Sequence, residues 1–232
     1  MSRPTVAFTL IAGFVGGVFG AALVWSLQHG LISGAAAQGY LVALQTDEPR
    51  MTPGILVFLV FALYWSFAAG ARAGDQSAEP RWSTTLHRAL VTVSVAAILL
   101  PVPGLSARFV PASGWVVAAG LAIELAGVVL AVIARRTLGR NWSSEVRIAE
   151  GHALVRTGLY RRIRHPIYLG VLLLYLGLAL QSGRLNALAG LALAVAAYWR
   201  KIALEEQVLA RRFGAAFEAW RKESWALVPP LL

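Results

Sequence analysis

Six apolar stretches, separated by shorter polar ones, divide this chain. They cover residues 6–27, 54–71, 89–102, 114–133, 167–180 and 187–204. A helix needs about 20 apolar residues to cross the hydrocarbon of a bilayer, so the third and fifth stretches fit tilted or partial spans. The pattern predicts an all-α fold, a polytopic membrane helix bundle with about six transmembrane segments.

Beyond the last stretch, the apolar positions change to a one-sided helical period. Charged residues occupy the positions between them, and the apolar set is Leu209, Phe213, Phe217 and Trp220. This spacing is typical of an amphipathic helix. We expect a cytoplasmic C-terminal helix that lies along the membrane or over the preceding loop and ends at Pro229.

The composition supports the membrane assignment. Hydrophobic residues make up 58% of the chain and charged residues only 14%, which leaves too little polar surface for a water-soluble fold. Cysteine is absent, and this excludes disulfide bonds and metal sites built from thiolates. The histidines and carboxylates lack the spacing of metal ligands, so we expect no metal. A phosphate-binding P-loop motif is also missing.

The net charge of +10 follows from topology. With the six stretches as spans and both termini on one side, all but three of the 21 basic residues fall on that side; the exceptions are Arg50, Arg108 and Arg184. By the positive-inside rule this side is the cytoplasm. Because no soluble module carries the charge, nucleic-acid binding is excluded. The high usage of alanine and arginine indicates a prokaryote, and hence an inner (cytoplasmic) membrane.

The two parts of the chain differ in chemistry, although we predict a single domain over residues 1–232. Residues 1–134 hold few polar groups within their spans and form a scaffold. Residues 135–232 carry most of the candidate chemistry. They include a stretch of about thirty residues between two spans, which is longer than most connections without a function.

The densest cluster of charged and aromatic side chains reads GLYRRIRHPIYLG, at residues 158–170. Arg161 and Arg162 suit a membrane anchor whose charges reach lipid phosphates. Arg164 and His165 instead precede a proline that can start a helix, and the backbone N–H groups at such a start favour a carboxylate or phosphate. A structural role for the histidine is the alternative.

A pair of adjacent carboxylates, Glu205 and Glu206, follows the last apolar stretch. Lys201 precedes Glu205 by one helical turn, in the weaker order for an ion pair that is worth only about 0.2–0.5 kcal/mol. We therefore expect these carboxylates to meet another cation, which belongs either to a ligand or to the arginines at the start of the preceding span.

Glu124 is the one acid well inside an apolar stretch, and ionisable groups at that depth are usually functional. Two interpretations stay open. Glu124 lines a substrate cavity, or it is protonated and bonded to a neighbouring helix. The histidines His29 and His87 flank spans without any spacing that indicates a site.

Two runs together resemble a known family. HALVRTGLYRRIRHPIYLG at 152–170 and EEQVLARRFGAAFEAW at 205–220 are similar to the isoprenylcysteine carboxyl methyltransferases and to their relatives, the phospholipid N-methyltransferases. The similar stretch runs from about residue 138 to 229. The resemblance implies an S-adenosylmethionine-dependent methyltransferase built from membrane helices, with its cofactor beneath the C-terminal helix at the cytoplasmic end of the last two spans.

The resemblance also assigns roles to individual residues. Cofactor contacts carry over to His152, Ala153, Leu154, Val155, Tyr160, His165, Pro166, Ile167, Tyr168 and Glu205. Taken with the chemistry of the residues themselves, this gives Arg164, Lys201 and Glu206 as catalytic candidates and Arg200, Lys201 and Glu124 as substrate candidates. A family arginine falls on Lys201, and lysine lacks the bidentate fork that holds a carboxylate.

The methyl acceptor stays open at this point. The predicted acceptor is a lipophilic small molecule that enters from the bilayer, where the protein also contacts membrane lipids; its reacting group is a carboxylate, a phospholipid amine or a small thiol. An ammonium acceptor needs a base, for which Glu206 and Glu124 are the candidates. The rival from another class is a small non-catalytic transporter, although transport predicts symmetric halves and the polar groups here lie mostly on one face.

Overall fold

The computed structural model describes residues 53–67, 79–100, 102, 104–139, 142 and 154–228. Its regular elements are the helices α1 (Pro53–Phe67), α2 (Arg81–Leu99), α3 (Gly114–Leu138), α4 (Pro166–Ser182), α5 (Leu185–Phe213) and α6 (Ala215–Glu223), with a 3-10 turn at Gly158–Arg161. The only β-type pairing among these described residues consists of two isolated bridges. The predicted all-α fold is therefore confirmed for them. The first predicted span, 6–27, and Pro229 lie outside the described residues.

Three of these helices, α2, α3 and α5, are long and apolar enough to cross a membrane, and α1 and α4 are shorter apolar helices. Large apolar side chains point outward, among them Trp115, which is 86% exposed, and Val60, which is 69% exposed. Such surfaces are stable where lipid replaces water. The chain is therefore an integral membrane protein. Helix α2 begins at Arg81, eight residues before the predicted stretch 89–102. The prediction missed its first two turns because they are polar and a search for apolar stretches does not detect them.

Glycines allow the backbones of α3 and α4 to touch. Gly127 faces Gly170, and a Cβ atom added at Gly170 would lie 2.6 Å from the Gly127 carbonyl oxygen and 2.7 Å from the Ala131 nitrogen. Gly120 and Gly177 make a second contact of the same kind. Close approach of this kind supplies the dispersion contacts on which helix association in lipid depends.

Helices α2 and α5 also pack closely. A Cβ atom added at Gly190 of α5 would lie 2.6 Å from the Ser94 carbonyl oxygen of α2. The Asn186 side chain donates hydrogen bonds to the carbonyl oxygens of Ala97, at 2.7 Å, and Leu100, at 2.8 Å. These carbonyls lie at the end of α2, where the helix supplies no donor, so Asn186 closes that end.

The turn between α4 and α5 determines which residues meet. Gly183 has a φ of +65°, a left-handed conformation that glycine adopts without strain, and the chain reverses there. The start of α4 therefore lies beside the last turns of α5. We call this the site end of the bundle, and the Gly183 turn marks the opposite end.

The chain after α6 folds back on the site end. The Arg164 backbone N–H donates to the Trp225 carbonyl oxygen at 2.8 Å, and the His165 backbone N–H donates to the Ala226 carbonyl oxygen at 3.0 Å. These bonds hold residues 224–226, which we call the C-terminal segment, beside the residues that precede α4.

Helices α5 and α6 are separate elements. Gly214 lies between them with a φ of +49°, and this left-handed residue ends α5 at Phe213 and turns the chain. The apolar positions that we assigned to one amphipathic helix are thus divided between two. Phe217 and Trp220 belong to α6, and both are buried.

We expect Gly170→Ala to destabilise the bundle, because the added methyl group would overlap the backbone of α3. Overpacking of this kind costs about 1–3 kcal/mol, more than the ~0.5–1 kcal/mol that alanine gains over glycine in a helix. Thermal unfolding of the detergent-solubilised protein, followed by circular dichroism, measures the change. Gly114→Ala is the matched control, since no atom lies within 4 Å of a Cβ at that position. Equal unfolding temperatures for the two variants would contradict the close packing of α3 on α4.

Candidate active site

The site end brings two carboxylates of α5 to the first residues of α4. Glu206 Oε1 accepts a hydrogen bond from Arg164 Nε at 2.7 Å and lies 3.2 Å from His165 Nε2. Glu205 Oε2 accepts a hydrogen bond from the Tyr168 hydroxyl at 2.8 Å and lies 3.5 Å from His165 Nδ1. Five residues that the sequence singles out therefore lie in one place.

Local sequence explains this convergence. Pro166 is the first residue of α4, a position where its missing N–H and fixed φ suit the helix. The rings of His165 and Tyr168 lie on one face and stack, with centroids 5.5 Å apart and an interplanar angle of 5°. Glu205 and Glu206 are adjacent on α5, so their side chains diverge by about 100° and reach different partners.

His165 is 5% exposed and lies between the two carboxylates. Burial by itself lowers the pKa of His165, but its hydrogen bonds to Glu205 and Glu206, together with their charges, raise this pKa above the ordinary value. The imidazolium form is therefore favoured, and both ring nitrogens donate. His165 thus balances part of the negative charge of the pair.

The Arg164 side chain makes its hydrogen bonds to other groups of the protein. Its guanidinium pairs with Glu206 and donates from Nη1 to the carbonyl oxygens of Arg221, at 3.3 Å, and Ser224. These carbonyls lie at the end of α6, where helix acceptors need partners. We predicted a catalytic role for Arg164; in the structure, the groups that it contacts are protein groups that it holds in place.

Glu205 is the more open of the two carboxylates. Its side chain is 32% exposed, against 18% for Glu206 and 4% for His165. A carboxylate that is partly open beside aromatic rings can receive a cation. Among the described groups at the site end, Glu205 is the best placed to bind a cationic ligand.

An aromatic cluster covers the site end next to these carboxylates. It consists of Trp142, Tyr160, Phe217 and Trp220, and Trp220 Nε1 donates to the Tyr160 carbonyl oxygen at 3.0 Å. The predicted residues Leu154 and Val155 pack against the cluster, and Ile167 is a buried member of it. Burial and the charge of Glu205 raise the pKa of Tyr160, so its hydroxyl stays neutral. The cluster is a buried apolar core beside the carboxylates.

Lys201 and Arg200 lie one turn before the carboxylates but contact a different partner. Lys201 Nζ lies 4.0 Å from Glu79 Oε2, and Arg200 Nη1 lies 4.0 Å from Glu79 Oε1. Ser83 donates to Glu79 Oε1 at 2.5 Å and accepts a hydrogen bond from Arg200. Glu79 and Ser83 are not among the residues predicted from the sequence, although their four-residue spacing is typical of one helical face.

Glu124 lies near the opposite end of the bundle. Gln181 Nε2 donates to Glu124 Oε2 at 2.8 Å, and Glu124 is fully buried. Along α4, Gln181 is about 20 Å from Tyr168 at 1.5 Å per residue, so the structure does not bring Glu124 to the carboxylates. The contact agrees with the interpretation that Glu124 bonds to a neighbouring helix. The predicted residues His152 and Ala153 lie outside the described part of the chain.

Comparison with known proteins finds similar sequences among methyltransferases. A family described as phospholipid methyltransferase matches residues 115–216. The chain is also similar to the protein-S-isoprenylcysteine O-methyltransferases A and B of Arabidopsis thaliana, with 32% and 31% identity over 121 residues. Each match covers 50% of this chain and 60% of the plant protein, so the chain spans less than two thirds of the length of these relatives.

The fold has a counterpart among solved structures. The structure of a eukaryotic intramembrane Ras methyltransferase, isoprenylcysteine carboxyl methyltransferase, matches with a TM-score of 0.52 over 99% of this chain and 98% of that chain. The sequence identity is 15%, and this match therefore concerns the fold alone. Together the comparisons confirm the predicted resemblance: this chain is similar in sequence to the plant isoprenylcysteine O-methyltransferases, and its fold is similar to that of the solved isoprenylcysteine carboxyl methyltransferase.

Proposed function

We propose that this protein is an S-adenosylmethionine-dependent membrane methyltransferase that methylates a lipophilic small molecule. The observation that carries the proposal is the partly open Glu205 carboxylate, held by Tyr168 and His165 where α4 meets α5. S-adenosylmethionine carries a sulfonium and an ammonium group, and such a cation fits a carboxylate flanked by aromatic rings. The isoprenylcysteine O-methyltransferases of Arabidopsis thaliana support the same class of reaction.

The residues at the site end fit the parts of this cofactor. Glu205 would receive the cationic part between the rings of Tyr160 and Tyr168, and His165 would hold Glu205 in position for it. The aromatic cluster, with Leu154 beside it, would take the adenine. When bound, the cofactor supplies a methyl group on a positively charged sulfur. The contribution of the protein is alignment and exclusion of water.

The acceptor would reach this site from the bilayer, on the side of α2 and α5. Lys201 supports this path, because it lies one turn deeper than Glu205 and is only 6% exposed. The lipid-facing surfaces beside it are apolar, with Trp82 and Trp199 exposed. The relatives named for isoprenylcysteine favour a prenylated acceptor, and the family described as phospholipid methyltransferase favours a lipid amine as the alternative.

The proposed topology is a bundle of about six spans in a prokaryotic inner membrane, with both termini and the site end in the cytoplasm. Arg135 and Arg136 lie in the last turn of α3, and Arg211 and Arg212 lie in the last turn of α5. All four arginines are at the site end. The positive-inside rule favours the cytoplasm for such an end.

Calorimetric titration of the detergent-solubilised protein with S-adenosylmethionine tests the proposed cofactor. We expect Glu205→Gln to weaken binding about 10–100-fold, since hydrogen bonds to charged groups contribute about 1.5–3 kcal/mol. Glu218→Gln is the matched control, because this carboxylate lies on α6 and pairs with Arg221 at 2.8 Å. Absence of binding by the wild type, or an equal loss in both variants, would overturn the proposal.

We expect Arg164 to support the site by holding the C-terminal segment. In Arg164→Gln a buried ion pair is broken, at a cost of about 3–5 kcal/mol, and trypsin should cleave after Arg221 or Lys222 about tenfold faster or more. Mass spectrometry of timed digests measures this rate. Arg164→Lys should restore part of the protection, and the exposed Arg161→Gln should leave it unchanged. Wild-type cleavage rates in Arg164→Gln would contradict the positioning role.

A further inference from the structure

The positive charge of His165 can be lost, whereas the positive charge of its neighbour Arg164 is permanent. A guanidinium keeps its proton in proteins, and an imidazolium loses its proton near neutral pH. The site end thus contains one fixed cation and one removable cation beside the two carboxylates, Glu205 and Glu206. This difference determines how the site responds when a further positive charge arrives.

Both ring nitrogens of His165 face carboxylate oxygens. Nδ1 lies 3.5 Å from Glu205 Oε2, and Nε2 lies 3.2 Å from Glu206 Oε1. In a neutral ring one nitrogen carries a lone pair, and that lone pair would face a negatively charged oxygen. Burial opposes a charged ring, but the hydrogen bonds and charges of the two carboxylates hold the pKa of His165 above its ordinary value. The contacts therefore favour a proton on each nitrogen as long as no other cation is bound.

The four charged groups where α4 meets α5 balance one another. Arg164 Nε lies 2.7 Å from Glu206 Oε1, so Glu206 has a permanent cation, and His165 supplies the positive charge that balances Glu205. Arg164 and His165 are both buried, and an unbalanced charge in such surroundings is unfavourable. A cation that binds at Glu205 therefore creates an excess positive charge, unless one of the charges already present is removed.

The proton of His165 is the one that can leave. The titratable and charged groups that face His165 or its carboxylate partners are Arg164, Tyr168 of α4, Tyr160 of the 3-10 turn, Lys201, Glu205 and Glu206 of α5, and Arg221 of α6. Near pH 7 the tyrosines are neutral, the lysine and the arginines keep their protons, and the glutamates are ionised. Among these groups, only the histidine changes its charge near neutral pH.

We propose that the cofactor binds in exchange for a proton of His165: the positive charge that arrives at Glu205 takes the place of the proton on Nδ1. The inference rests on the proposed methyltransferase function, since the arriving charge is that of S-adenosylmethionine. The N–H bond at Nδ1 breaks, its electron pair stays on Nδ1, and the proton leaves to water past the open side of Glu205. Nε2 keeps its proton and still donates to Glu206. After methyl transfer has removed the positive charge, Nδ1 takes a proton from water again.

The pH dependence of S-adenosylmethionine binding tests this exchange. The comparison is between the wild type and His165→Asn, whose side-chain amide can donate to Glu205 in place of Nδ1 but carries no charge. At about pH 6.5 the variant should bind about 3–10-fold more tightly than the wild type, because no proton has to leave. The difference should close towards about pH 8.5, where the wild type loses this proton more easily. The amino group of the cofactor titrates near pH 8, but it does so for both proteins.

Calorimetry counts the released protons directly. Titrations of the detergent-solubilised protein at about pH 7.5, in two buffers with different enthalpies of ionisation, give the number of protons released for each bound cofactor. We expect the wild type to release about half a proton more than His165→Asn. S-adenosylhomocysteine has the same parts without the sulfonium charge, so the wild type should release fewer protons when it binds this ligand. The comparison of the two ligands uses the wild type alone and does not depend on the folding of a variant.

Arg162→Gln is the matched control for the loss of a positive charge. Arg162 is exposed and stands three residues before His165, so water screens its charge from Glu205. This variant should show the wild-type pH dependence and the wild-type number of released protons. If Arg162→Gln changes both as much as His165→Asn does, the exchange is not specific to His165 and the inference is wrong.

The outcomes distinguish this inference from the proposed function. If the wild type binds S-adenosylmethionine and releases no more protons with it than with S-adenosylhomocysteine, the exchange at His165 is wrong and the methyltransferase assignment stands. The same holds if the affinities of the wild type and of His165→Asn change in parallel with pH. If the wild type does not bind the cofactor at any pH, both proposals are wrong.

Discussion

Two carboxylates that follow each other on one helix need different partners, and this requirement organises the site end. Glu206 reaches Arg164, Glu205 reaches Tyr168, and His165 lies between them. Buried charges are stable only when they are paired, so the start of α4 cannot separate from α5 at low cost. Because Arg164 also holds the carbonyls at the end of α6, the same pairing keeps the aromatic cluster covered.

In the described part of the bundle, Glu124 lies within α3, between the two glycine contacts that join α3 to α4. The approach of Gly127 to Gly170 leaves no room for side chains. Glu124 therefore contributes to the contact between α3 and α4, whereas the carboxylates of α5 lie at the site end, where we propose the ligand site.

The site could be predicted where its residues are close along the chain. Local rules place Arg164, His165 and Tyr168 at a helix start, because a proline stands between them. The pairing of charges could not be predicted in the same way. Glu79 is far from Lys201 in sequence, and only the packing of α2 on α5 brings them together. The hydrogen bonds of Arg164 to the C-terminal segment likewise depend on the reversal of the chain after α6, and no sequence motif predicts this reversal.

The Glu205 carboxylate would attract the proposed cofactor more strongly before methyl transfer than after it. In the proposed reaction, the sulfonium becomes a neutral thioether, and its attraction to the carboxylate is lost. Tyr168 and His165 keep their contacts with Glu205, so departure of the product leaves no unpaired charge behind. In that reaction, the open side of Glu205 would give the spent molecule an aqueous exit, and a lipophilic product would return to the bilayer. The two products of one turnover would then leave into different phases.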